Sequence, residues 1–371
     1  MPTADLPKVP HYTVPTTTYD LDWADLTVID ISKAQTPEGR EELAVQVCDA
    51  LRTTGFFYVV NHGYTPEETA RIFDIGRMPF EQVAQEEKDR YAAQIKQLGS
   101  HQGYKSRSYW VGIFILLVDN GVRDHIENYN LHRDVTKRGH PEPLRPFLPE
   151  MAAFARHNHF NVLFPLLQLV ARGLELPEDT FVDNHSFDAE SETWISFMKY
   201  FPRPEEDEIR TKNVWLKGHT DTGSLSILWS QPVSALQIRS PEGKWQWIKH
   251  IDNALVINAG DSLEFLSGGY YKATIHRVVQ PPPDQRHYNR FGIFYFALPD
   301  DNVRLNPRLD SPVLQRVGVS DRFKGDEFNP PVVKEYRQAR ASAYGQSEVK
   351  KGKQAGTEEQ VLAGVLVKHY L

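Results

Sequence analysis

His219 and Asp221 stand two residues apart in the stretch WLKGHTDTGSLSIL, residues 215–228, just ahead of a run of strand formers. Alternate residues of an extended segment project to one side, so this imidazole and this carboxylate share a face. His276 lies in a second strand-like stretch, YKATIHRVVQ. An imidazole among apolar neighbours needs a partner. A backbone carbonyl would serve, and so would a metal ion. Two imidazoles and one carboxylate on one face of a metal leave coordination positions open, the facial arrangement used by non-haem Fe(II) oxygenases. Arg290, in RFGIFYFAL, follows His276 after a proline-rich loop. If the two strands are neighbours, Arg290 points into the same cavity. A guanidinium among aromatic strand residues is costly unless it grips an anion, and its planar fork suits a carboxylate. An internal ion pair with Asp or Glu is the alternative. A second His-x-Asp, His132-Arg133-Asp134, lies in the polar stretch NLHRDVTKRGHPEP with no strand after it. It reads as solvated surface.

These side chains must be held by the elements around them. After about residue 190 the segments WISFMKYF, SLSILW, ALQIRS, KWQWIKH, ALVIN, TIHRVVQ and RFGIFYFAL are short and rich in β-branched and aromatic residues. Gly, Pro, Asp and Asn punctuate them, which predicts many short strands. LQIRSPEGKWQWI predicts a hairpin about Pro241-Glu242-Gly243. Upstream, LTVIDIS (26–32) and FFYVV (56–60) read as strands. The segment 39–55 places Leu43, Val47 and Leu51 on one helix face, with Gly55 at its end. Thr65-Pro66-Glu67-Glu68 carries the cap, first-turn proline and third-position glutamate of a helix start. Helices are also predicted over 81–94 and over 148–176, the latter kinked or divided in two at Pro165. The segments 329–345 and 357–368 read as helices as well. The class is therefore α+β with a sandwich or jelly-roll core. Residues 1–190 form a mainly helical region contributing strands, 191–305 the core, and 306–371 a helical tail.

Composition narrows the partners. The chain has 371 residues, a net charge of −7 and no basic block, so no nucleic-acid footprint is expected. No segment approaches the roughly 20 apolar residues of a membrane span. The single cysteine, Cys48, excludes a disulfide within the chain. The first residues lack the apolar core of a signal peptide. A cytoplasmic protein acting on a small molecule is the expectation.

Read in order, LTVIDIS…GFFYVVNHG and PFEQVAQEEKDRY, then MKYFPRP, HTDTGSLSIL, INAGDSLEFLSGGYYKATIHRV and NRFGIFYF, make most of the chain resemble the isopenicillin N synthase-like group of 2-oxoglutarate- and Fe(II)-dependent dioxygenases. The resemblance implies a distorted double-stranded β-helix, or jelly roll, flanked by helices. It implies that His219, Asp221 and His276 hold Fe(II), and that Arg290 pairs with the distal carboxylate of 2-oxoglutarate. O2 is the second cosubstrate. The reaction it implies couples decarboxylation of 2-oxoglutarate to oxidation of a substrate C–H bond, by hydroxylation, desaturation or cyclisation.

The sequence departs from that group in two places. Gly292 stands where a serine usually follows the arginine by two residues, and Lys199-Tyr200-Phe201-Pro202 replaces Asn-Tyr-Tyr-Pro. Lys199 and Tyr200 are the candidates to supply the missing cosubstrate contacts. Restoring a hydroxyl by Gly292→Ser is expected to tighten 2-oxoglutarate binding modestly. For substrate contacts the resemblance points to Tyr104, Tyr109, Trp110 and Phe296. An aromatic pocket favours a small, mostly apolar molecule such as a secondary metabolite. Three other readings stay open on sequence alone: a same-fold Fe(II) oxidase that uses no 2-oxoglutarate, a zinc hydrolase with Glu264 as base, and a noncatalytic binding protein.

Overall fold

The structure, a computed structural model, describes residues 8–107, 122, 125–323, 329–343, 350–351 and 357–370. Among these residues the strands form two sheets. One runs in the order β1 (Val28–Asp30), β2 (Phe56–Val60), β10 (Leu255–Ala259), β7 (Leu225–Trp229), β12 (Arg290–Ala297), β5 (Trp194–Tyr200), β4 (Ile126–His132) and β3 (Gly103–Lys105). The other runs β13 (Lys350–Lys351), β14 (Thr357–Leu362), β15 (Val365–Tyr370), β6 (Val214–His219), β11 (His276–Val279), β8 (Leu236–Arg239) and β9 (Trp245–Trp247). Strands distant in sequence lie side by side in both sheets, as a jelly roll requires.

The strand β12 shows how alternation builds this architecture. Phe291, Ile293, Tyr295 and Ala297 join the main core, together with Leu43, Val47 and Leu51 of α1 (Pro37–Thr53) and Leu166, Leu167 and Val170 of the helix Phe164–Gly173. Each such buried side chain stabilises the fold by about 1.5–3 kcal/mol. The alternate residues Arg290, Gly292, Phe294 and Phe296 face the other way. On that side lie two smaller apolar clusters that join the sheets, one around Phe56, Tyr58 and Ile238, the other around Tyr200, Trp215 and Val278. The polar groups of the site sit in this space between the sheets.

Several local expectations hold. Thr65 and Glu68 close a reciprocal capping box on α2 (Pro66–Glu81), and β8 pairs with β9 as the predicted hairpin. Gly55 takes φ +70° just beyond α1, a left-handed conformation that glycine adopts without strain.

Others need correction. Of the predicted helix 81–94, only Gln85–Arg90 forms a helix of more than one turn, because α2 already runs to Glu81. The 148–176 pattern is broken by a π-helical turn at His157–Leu163 rather than by a kink at Pro165. Pro165 lies just beyond that π-helical turn inside a continuous helical run, so the irregularity sits just ahead of the residue that lacks an N–H. The segment 357–368 is not helical but a hairpin. Ala363 and Gly364 take φ 47° and 79°, the two positive values that a tight two-residue hairpin turn demands. The apolar run VLAGVLV hid that turn. The tail thus combines the helix Val333–Ala343 with a hairpin that meets β6 at Tyr370↔Gly218. Among the described residues no helix is long and apolar enough to cross a membrane.

Candidate metal centre

The antiparallel pairing of β6 with β11 puts His276 directly opposite His219. Their ring centroids are 4.4 Å apart. Asp221 follows two residues after His219, just past the end of β6. Its Oδ1 lies 3.8 Å from His219 Nε2 and 3.6 Å from His276 Nε2. One donor atom from each of the three residues lies within 4.8 Å of the others, and no other trio of this kind occurs among the described residues.

Hydrogen bonds fix which atoms point inward. His219 Nδ1 donates to the Lys217 carbonyl at 2.8 Å, and His276 Nδ1 to the Thr274 carbonyl at 3.2 Å. Each Nε2 is left with its lone pair toward Asp221. The backbone-carbonyl partner that sequence offered as the alternative to a metal is therefore present, yet it occupies the other nitrogen. Asp221 Oδ2 accepts from Ser226 Oγ at 2.6 Å and Asn258 Nδ2 at 2.9 Å, leaving Oδ1 turned to the imidazoles. Burial, with His276 second, pushes the His219 imidazolium down to about 3. Burial pushes the Asp221 carboxyl up, but the two histidines and the two hydrogen bonds outweigh it and hold the carboxyl below its ordinary value. Two imidazoles and one carboxylate form a donor set suited to a divalent transition metal. Ser226 and Asn258 are opposite each other on β7 and β10, so they orient Asp221 from a rigid sheet. Ser226→Ala or Asn258→Ala should weaken metal binding by about 10–100-fold. Metal titration of each folded variant checks this.

Arg290 begins β12, pairs in register with Tyr200 of β5, and is 1% exposed. Its Nε and Nη1 make no hydrogen bond, and no carboxylate pairs with it among the described residues. The expected alternative, an internal ion pair, is not found there. The Tyr200 ring lies 5.1 Å from the guanidinium carbon and stacks on Trp215. Burial pulls the guanidinium below the ordinary arginine range, opposed by Tyr200. A buried cation with two idle donors fits an incoming carboxylate.

Lys199 is not part of this arrangement. It neighbours Tyr200 on a strand and so faces the opposite side, where its Nζ lies 3.3 Å from Glu81 of α2. Gly292 does share the Arg290 face, but its space is already filled. A Cβ there would stand 2.8 Å from Phe294 Cε2, 3.2 Å from Phe294 Cζ and 3.7 Å from Arg290 Nη1. The Phe294 ring is itself stacked on Phe296 at 5.3 Å. The expected benefit of Gly292→Ser is thereby reversed. The variant should lose about 1–3 kcal/mol by overpacking and bind 2-oxoglutarate more weakly, read by thermal unfolding and ligand titration.

A cavity of about 210 Å³ opens beside the triad, with His219 and Asp221 in its wall and Phe296, Trp194, Met198 and Leu216 as apolar lining. Phe296, a sequence candidate for substrate contact, is thus one of the lining residues. Glu264 is not among the lining residues. Tyr104 is core instead: its hydroxyl donates to the Pro79 carbonyl at 3.1 Å and its ring packs 4.4 Å from Tyr129 on the helix side of the sheet. Tyr109 and Trp110 lie outside the described residues. His132 and Asp134 are structural rather than solvated. His132 Nε2 donates to the Ser191 carbonyl at 3.2 Å, its Nδ1 accepts from the Asp134 amide at 3.0 Å, and Asp134 caps the turn Val135–Lys137. Sequence reasoning missed Ser226 and Asn258, although both lie inside stretches singled out above, SLSIL and INAGD. It also missed Trp194, Met198 and Arg340 as lining residues.

Comparison with known proteins gives a consistent result. Residues 192–299 match the 2OG-Fe(II) oxygenase superfamily, and residues 26–148 match the non-haem dioxygenase in morphine synthesis N-terminal family. Jasmonate-induced oxygenase 3 of Arabidopsis thaliana is 26% identical over 323 residues, covering 81% of this chain and 80% of that protein. Scopoletin 8-hydroxylase, also of Arabidopsis thaliana, is 27% identical, covering 80% of this chain and 76% of its own. Among solved structures, a full-length Neurospora crassa protein in complex with alpha-KG superposes with a TM-score of 0.72 at 22% identity, covering 90% of this chain and all of that one.

Proposed function

The chain belongs to the 2OG-Fe(II) oxygenase superfamily, and from that premise we propose that it oxidises a C–H bond of a small, mostly apolar molecule held beside His219, Asp221 and His276. It is an Fe(II)- and 2-oxoglutarate-dependent dioxygenase, an oxidoreductase that uses O2. In this reading His219 and His276 hold iron through Nε2 and Asp221 through Oδ1. Arg290, whose buried Nε and Nη1 have no hydrogen-bond partner among the described residues, would receive the distal carboxylate of 2-oxoglutarate, with Tyr200 against its guanidinium. Bound iron and 2-oxoglutarate supply the oxidising chemistry, coupling loss of CO2 and formation of succinate to oxidation of the substrate.

The chain's own contribution is placement. Ser226 and Asn258 keep Asp221 Oδ1 turned inward. Phe296, Trp194, Met198 and Leu216 hold an apolar body against the metal side of the cavity and exclude water from the reacting bond. Which C–H bond they present decides between hydroxylation, desaturation and cyclisation. The relative named scopoletin 8-hydroxylase supports a secondary metabolite as substrate.

The observation that carries this reading is the convergence of two Nε2 atoms and Asp221 Oδ1 on one point, in a protein that also buries an arginine with idle donors at the start of β12. The experiment is a screen of small apolar metabolites with Fe(II), 2-oxoglutarate and air, following succinate and product together. One succinate per product is expected. Product without succinate would move the chemistry to an oxidase that needs no 2-oxoglutarate, and product without O2 would end the oxygenase reading.

A further inference from the structure

Arg340 reaches the same cavity from the helix Val333–Ala343, far along the chain from the strands that carry the triad. Its Nη2 donates to the Thr220 carbonyl at 2.7 Å, and its Nε to the Thr222 hydroxyl at 3.3 Å. These two residues flank Asp221, and both acceptors are neutral. Nη2 also forms an ion pair at 3.8 Å with the Asp261 carboxylate, which accepts the Tyr336 hydroxyl at 2.6 Å. Arg340 Nη1 has no hydrogen-bond partner among the described residues. The side chain is only 13% exposed. The guanidinium is thus partly balanced by Asp261 and keeps one donor nitrogen, Nη1, available to a further anion in the space beside it.

The charge of the cavity wall points the same way. Lys105 and Lys217 line it with Arg340, and the one carboxylate among the described lining residues is Asp221, which the metal claims. The 2-oxoglutarate does not account for Arg340, because Arg290 already offers two idle donors to its distal carboxylate. Trp194, Met198, Leu216 and Phe296 give the wall its apolar part, beside the neutral polar residues Asn128, Asn130 and Gln360.

We infer that the substrate joins an apolar body to an anionic end, a carboxylate in its simplest form, and that Arg340 is the specificity-determining residue that holds this end. The inference rests on reading the cavity as the substrate site. Two hydrogen bonds tie the guanidinium to the loop of Asp221, so the anchored end lies at a fixed offset from the metal. That offset selects the C–H bond presented for oxidation. A planar guanidinium with a free N–H edge also explains why the anchor is arginine rather than lysine.

The test uses two matched probe pairs, 3-phenylpropionate against 3-phenylpropanamide and octanoate against octanamide. Each is titrated calorimetrically into full-length protein carrying Zn(II) and saturating 2-oxoglutarate, which keeps the probes off Arg290. The acids should bind wild type at least about tenfold tighter than their amides. Arg340→Gln should erase that preference, and Arg340→Lys should restore part of it. Equal binding of acid and amide by wild type, no binding of either, or a preference that survives Arg340→Gln would each overturn the inference. A variant with weakened metal binding but an intact acid preference would make Arg340 only a clamp on the Asp221 loop, which also overturns it. The charge-transfer band of the Fe(II) protein with 2-oxoglutarate, recorded on the same preparations, separates the two levels. With the band present and the preference absent, the inference alone fails. With the band absent from wild type, the reading of the site fails.

Discussion

His219→Ala, Asp221→Ala and His276→Ala should each yield a folded chain that holds no iron and forms no succinate. Each residue supplies one of only three protein donor atoms, so no single loss leaves a competent facial set. The fold should persist because β6 and β11 are joined by backbone pairing, and their core contacts run through Trp215 and Val278 rather than through the imidazoles. Asp221→Ala carries the largest structural cost. It leaves Ser226 and Asn258 with an unmatched buried donor each, about 1–3 kcal/mol apiece. Metal analysis beside circular dichroism distinguishes loss of the site from loss of the fold. A triad variant that keeps both its iron and its turnover would show that the ligand is another residue.

Arg290→Lys should leave iron in place and raise the apparent KM for 2-oxoglutarate by roughly 10- to 150-fold, the equivalent of about 1.5–3 kcal/mol for a lost charge-assisted pair. Lysine keeps the positive charge but presents no fork of parallel donors. The neighbourhood offers little compensation. Lys199 faces α2, Gly292 has no side chain, and Phe294 fills the space beside it. A steady-state series in 2-oxoglutarate reads the effect. An unchanged dependence with turnover intact would place the distal carboxylate elsewhere.

The chemistry of this protein was largely legible in its sequence because the triad is coded locally. His219 and Asp221 need only the parity of one strand end, and His276 stands out as an imidazole in an apolar strand. Arg290 stands out in the same way, as a guanidinium in an aromatic strand, and the structure shows it buried with idle donors. What could not be read depends on pairing across strands. That Phe294 occupies the place of the missing serine hydroxyl is set by the stacking of Phe294 on Phe296, which no spacing rule gives. Tyr104 went to the core because its cross-strand partner, Tyr129, faces the helices. Lys199 was within reach of sequence reasoning: adjacent strand residues face opposite sides, so Lys199 and Tyr200 could not both serve the cosubstrate. Arg340 carries no local signal at all. Its position follows from the packing of a helix more than a hundred residues downstream of Asp221. The C-terminal hairpin was hidden because Ala363 and Gly364 turn within a run that reads equally well as a helix.

The central question is whether the triad and Arg290 together form an iron and 2-oxoglutarate site. The most direct measurement is an anaerobic titration of Fe(II)-loaded protein with 2-oxoglutarate, following the metal-to-ligand charge-transfer band. The geometry predicts a band that saturates at one 2-oxoglutarate per iron, disappears in Asp221→Ala and needs far more 2-oxoglutarate in Arg290→Lys. A wild-type protein that binds one iron yet shows no band, or an Arg290→Lys titration that overlays the wild type, would contradict it.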